Sequence, residues 1–76
     1  YFLRKTIMKL SARNQIKGTV VKIEKGATTS HVSIEISGGV VLMASITNEA
    51  VADLALTEGG PAYAVIKASD VMVGVA

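Results

Sequence analysis

Two short polar segments hold the side chains of this chain best suited to chemistry. Ser11-Ala12-Arg13-Asn14-Gln15 precedes a β-branched run, and Ile66-Lys67-Ala68-Ser69 closes a later one. Together they supply hydroxyls from Ser11 and Ser69 and cations from Arg13 and Lys67. Backbone near Ala12 and Ala68 can add N–H groups, because turns form anion-binding nests. Such a set suits a compact tetrahedral oxyanion, which presents only acceptor oxygens and needs converging donors with one or two cations. Without a ligand, the same residues read as polar loops flanking strands. Pattern alone leaves both readings open.

Other chemistries find little support. General acid–base catalysis needs positioned carboxylates or a histidine beside the reacting group. Glu24, Glu35, Glu49, Asp53, Glu58 and Asp70 are dispersed singly, and His31 is the one histidine, so no catalysis is expected. Gly38-Gly39 and Gly59-Gly60 are turn glycines, and no phosphate-binding glycine pattern occurs. The absence of cysteine excludes disulfides, iron–sulfur clusters and thiolate zinc sites. A direct metal-cation site is not expected.

The elements that must hold these residues follow from periodicity. Asn14 to Glu24 is rich in β-branched residues and reads as strand one, with Lys25-Gly26-Ala27 as a turn. Thr28 to Ile36 is strand two, placing Val32, Ile34 and Ile36 on one face and His31, Ser33 and Glu35 on the other. After a Gly38-Gly39 turn, Val40 to Ile46 is strand three, apolar on both faces and so buried on both. Thr47 or Asn48 caps a short helix with Glu49 in its first turn and Ala50, Val51, Leu54 and Ala55 at helical spacing. Ala62 to Lys67 is strand four, and Val71 to Val75, apolar at nearly every position, is strand five. Five strands with a helix between the third and fourth predict an all-β OB-like barrel. An SH3-like barrel usually lacks that helix.

Size and composition add a constraint. The 76 residues are 50% apolar and only 18% charged, with a mean hydropathy of +0.47. A disordered chain would have low hydrophobicity and high net charge. The longer apolar runs, such as Val40–Ala44, fall far short of the roughly 20 residues of a membrane span. Chains below about 70–80 residues usually need a staple, whether disulfide, metal or oligomerisation. Here oligomerisation is the expected one. The net charge of +2 is mild. Tyr1, Phe2 and Tyr63 are the aromatics, too few for base-stacking platforms. An OB-type nucleic-acid-binding module is therefore the alternative and not the first choice. Residues 1–7 read as a leader or vector-derived segment ahead of a natural start at Met8, leaving 8–76 as the domain. They are too short for a secretory signal, and a cytoplasmic location is expected.

The opening Ser11-Ala12-Arg13-Asn14-Gln15-Ile16-Lys17-Gly18 resembles the signature of the molbindin (Mop) family. Lys25-Gly26-Ala27, Ile46-Thr47-Asn48-Glu49 and Tyr63 to Ser69 resemble it in order and spacing, so the likeness runs from about Met8 to Val75. The resemblance implies a five-stranded OB-like barrel that binds molybdate, and often tungstate, in the cytoplasm. The family's older name suggests a molybdenum-pterin ligand. The donor residues suit a bare oxyanion better than a flat pterin, which would want stacking aromatics, so no organic cofactor is expected. The resemblance implies a homo-hexamer, a trimer of dimers, with anions between subunits and roles in molybdenum storage and homeostasis. It assigns Ser11, Ala12, Arg13, Lys67, Ala68 and Ser69 to the site, with Thr47 donated by a neighbouring subunit. Some relatives place a serine where this chain has Ala50.

Overall fold

The computed structural model describes residues 11–76. The segment set apart as a leader, residues 1–7, lies outside the described residues. Strands β1 (Asn14–Lys25), β2 (Thr29–Glu35), β3 (Val41–Thr47) and β4 (Pro61–Ile66) form one antiparallel sheet in the order β3-β2-β1-β4. Helix α1 (Asn48–Asp53) connects β3 to β4.

β1 organises the sheet because it is long enough to serve two partners. Asn14 to Thr19 pair with β4, and Thr19 to Lys25 pair with β2. Its register with β2 slips between Val20 and Lys22, leaving Val21 as an extra residue. A bulge of this kind bends a strand and increases its twist. It also shifts side-chain parity, so Val20 and Ile23 both join the core side. The sheet thereby curls into a half-barrel around Val20, Val32, Ile34 and Ala64, with Ile36, Leu42, Ile46, Val51 and Leu56 packed against them. Close approach of β1 to β2 needs Gly18, where a Cβ would lie 2.6 Å from the Glu35 carbonyl oxygen.

Loops complete the backbone pairing. Gly59 N–H donates to Val20 O (2.7 Å) and Val20 N–H donates to Gly60 O (2.8 Å), extending the β1 ladder beyond Pro61. Glu58 Oε2 accepts the Ile23 N–H at 2.9 Å. The β2–β3 turn uses Gly38 and Gly39 at φ +80° and +78°, a left-handed conformation that glycine adopts without a Cβ clash.

Three expectations require correction in detail. Val71 to Val75 does not form a fifth strand in the chain. Residues 71–76 carry no regular structure, and Met72, Val73 and Val75 are over nine-tenths exposed. The cause is tertiary, because after the 3-10 turn Ala68–Asp70 these residues pair with no strand of the described sheet. The helix ends at Asp53, so Leu54 and Ala55 lie outside it, with Ala55 in the left-handed region at φ +53°. Val51 and Leu56 face the core, and Leu54 is exposed. Strand three is apolar on both faces as read, but Val41 and Met43 on its outer face are uncovered in the single chain. The class expected from the sequence, an all-β OB-like fold with one short helix, is the class observed.

Candidate functional site

The β1–β4 ladder begins at Asn14, opposite Ile66. This register brings the two polar segments together, because Ser11–Arg13 enters and Lys67–Ser69 leaves at the same end of the sheet. Asn14 clasps the junction, its Nδ2 donating to Ile66 O at 3.2 Å. Lys67 continues the extended backbone (φ −68°, ψ 142°) before the chain tightens into the 3-10 turn, closed by Asp70 N–H donating to Lys67 O at 2.8 Å. The first N–H groups of such a turn have no acceptor within it. Those of Ala68 and Ser69 are therefore donors for an external group.

Ser11, Arg13, Lys67, Ala68 and Ser69 are exposed and Ala12 is half-buried. One chain thus presents two cations, two hydroxyls and turn amides on an open surface. A cleft of about 280 Å³ beneath α1, lined by Ile23, Lys25, Ser30, Asn48, Val51 and Leu56 among others, contains none of these donors. Among the described residues no group of three His, Asp or Glu side chains could hold a metal cation. No helix among them is long and apolar enough to cross a membrane.

Thr47 is not brought to this end. It pairs with Thr29, next to Ser30, which lies opposite Lys25 at the far end of β1 from Asn14. Along the 12-residue strand the path is about 35 Å at about 3.3 Å per residue, an upper bound on the separation because the bulge bends the strand. Thr47 is the helix N-cap, its Oγ1 accepting the Ala50 N–H at 3.0 Å. His31 lies on the outer sheet face between Glu24 and Ser45 in register and is exposed.

Two asparagines have tasks that sequence reasoning misses. Asn14 reads only as part of a polar segment, and Asn48 only as a rival helix cap. The usable signal is their placement at a strand terminus, where an amide supplies a donor and an acceptor to neighbouring backbone. Asn48 Nδ2 donates to Gly26 O (3.0 Å) and Ala27 O (3.3 Å), and its Oδ1 accepts from the Ser30 hydroxyl.

The fold is an OB-like half-barrel whose open end carries Arg13 and Lys67, and comparison with known proteins places it in a family. Residues 10–73 match the TOBE domain. The chain is 54% identical over 68 residues to a probable molybdenum-pterin-binding protein of Haemophilus influenzae, covering 90% of this chain and 99% of that protein. It superposes with a TM-score of 0.85 and 48% identity on the cytoplasmic molybdate-binding protein ModG with molybdate bound, covering 91% of this chain and 49% of that one. A molybdate-binding protein from Sporomusa ovata gives a TM-score of 0.84 at 37% identity, covering 90% of this chain and all of that one. The chain belongs to the TOBE domain family, in its molbindin (Mop) branch.

Proposed function

We propose that this chain binds molybdate as a non-enzymatic oxyanion-binding protein serving molybdenum storage and homeostasis in the cytoplasm. The observation that carries this reading is the β1–β4 register, which joins Ser11–Arg13 to Lys67–Ser69 at one end of the sheet. Arg13 and Lys67 neutralise the dianion. Ser11, Ser69 and the amides of Ala12, Ala68 and Ser69 set its geometry through charge-assisted hydrogen bonds. Sulfate is a smaller tetrahedral dianion, so donors spaced for molybdate hold it less well. Tungstate, close to molybdate in size, is a second ligand of the same pocket. No organic cofactor has a role.

The pocket is completed by Thr47 of a neighbouring copy, because within one chain Thr47 stands at the opposite end of β1. The assembly is a homo-oligomer, a hexamer built as a trimer of dimers. The exposed apolar tail with Met72, Val73 and Val75, and the uncovered Val41 and Met43, support association. A lone chain of this size also buries too small a fraction of its surface for high stability.

The test is a thermal-shift series against molybdate, tungstate, sulfate and phosphate. Ligand that binds only the folded assembly stabilises by RT ln(1 + [L]/Kd), about 2.7 kcal/mol at a hundredfold excess over Kd. Molybdate and tungstate should raise the midpoint well beyond sulfate at equal concentration. Equal shifts for all four anions, or none, would remove the proposal.

A further inference from the structure

Among the described residues the Thr47 hydroxyl donates no hydrogen bond. Its Oγ1 accepts the Ala50 N–H at 3.0 Å, which occupies one lone pair and leaves the exposed hydroxyl able to donate. Such a donor serves an anion only if its backbone is held still. β3 is an edge strand, and its pairing with β2 ends at Thr29 and Thr47. Beyond that pair the regular ladder stops.

The support comes from the next residue. Asn48 N–H donates to Thr28 O at 2.9 Å. Its side-chain amide donates to Gly26 O at 3.0 Å and Ala27 O at 3.3 Å. Its Oδ1 accepts from the hydroxyl of Ser30, which is 1% exposed. One side chain thus fastens the β1–β2 turn, the end of the β2–β3 ladder and the start of α1 into a single unit. Capping α1 needs none of this, since Thr47 is the cap.

We infer that Asn48 is a positioning residue of the oxyanion site, acting through Thr47. It fixes the backbone from which the Thr47 hydroxyl reaches an anion held by another copy. The inference rests on the reading of Thr47 given above.

A double-mutant cycle on the assembled protein tests it, with molybdate affinity measured by calorimetry for wild type, Thr47→Ala, Asn48→Asp, the double variant and Ser30→Ala. Asn48→Asp keeps the size and the oxygen facing Ser30 but sets an oxygen against the Gly26 and Ala27 carbonyls. Thr47→Ala and Asn48→Asp should each weaken binding about tenfold, the effect of losing one hydrogen bond to a charged group. The double variant should bind no worse than Thr47→Ala, because nothing is then left to position. Ser30→Ala removes one support and should weaken binding less, and only when Thr47 is present. If Asn48→Asp does not fold, Ser30→Ala with and without Thr47 carries the test. A purely structural Asn48 would lower the melting midpoint with unchanged affinity, or give losses that multiply in the double variant. Either result overturns the inference. Full affinity in Thr47→Ala removes the reading of Thr47 and this inference with it. A loss in Thr47→Ala with Asn48→Asp and Ser30→Ala at full affinity removes the inference alone.

Discussion

Gly18→Ala tests the packing that holds the site end of the sheet together. Gly18 pairs with Ala62 of β4 and lies one residue before Thr19, where the pairing of β1 with β2 begins. An added Cβ would stand 2.6 Å from the Glu35 carbonyl oxygen, 2.7 Å from Ile34 Cγ2 and 3.2 Å from the Glu35 carbonyl carbon. Ordinary van der Waals contact begins near 3.4 Å, so the nearest approach is too close by about 0.8 Å. Two of the three atoms are backbone and cannot rotate away, and the third belongs to buried Ile34. Relief requires β1 and β2 to separate, and overpacking of this kind costs about 1–3 kcal/mol. The backbone clash puts Gly18→Ala in the upper half of that range, about 2 kcal/mol. At about 4–8 °C per kcal/mol for a domain of this size, the unfolding midpoint should fall by roughly 10 °C. The assay is thermal unfolding without ligand at one fixed protein concentration, since assembly makes the midpoint concentration-dependent. Gly39→Ala is the companion variant. Gly39 has φ +78°, and a Cβ placed there would meet nothing within 4 Å, so only conformational strain of about 1 kcal/mol applies. A Gly18→Ala midpoint within about 2 °C of wild type, or a loss no larger than that of Gly39→Ala, would refute the steric argument.

Arg13→Ala should weaken molybdate binding about 10- to 150-fold while leaving the fold intact, because the side chain is exposed and its loss removes a charge-assisted contact. Unchanged affinity in calorimetry would take Arg13 out of the site. Deleting residues 71–76 removes the exposed apolar tail without touching the core cluster, and light scattering should then show a smaller assembly than wild type. An unchanged mass would mean the tail plays no part in association. Ala55→Gly should raise stability by about 0.5 kcal/mol, since relief of the left-handed strain at φ +53° exceeds the entropy cost of glycine. A lower melting midpoint would contradict that balance.

Local pattern is sufficient for much of this protein. The alternation of Val32 and Ile34 against His31, Ser33 and Glu35 identifies an inner and an outer face of β2, and both are where the period of two puts them. Thr47 reads as a helix cap because a hydroxyl ahead of a helical segment can accept an amide of the first turn, and it does. The donors Ser11, Arg13, Lys67 and Ser69 are legible by type, since residue chemistry needs no fold. Their adjacency is not. It depends on the pairing of Asn14 with Ile66 across 52 residues of chain, and strand register is a long-range property that no local window contains. The bulge at Val21, the clasp of Asn48 on Gly26 and Ala27, and the steric need for Gly18 are likewise tertiary, each set by a partner distant in sequence. The apolar tail shows the boundary most clearly. Its composition reads as a strand, but a strand exists only where backbone groups find partners, and after the turn at Ala68–Asp70 residues 71–76 pair with none of the strands β1 to β4.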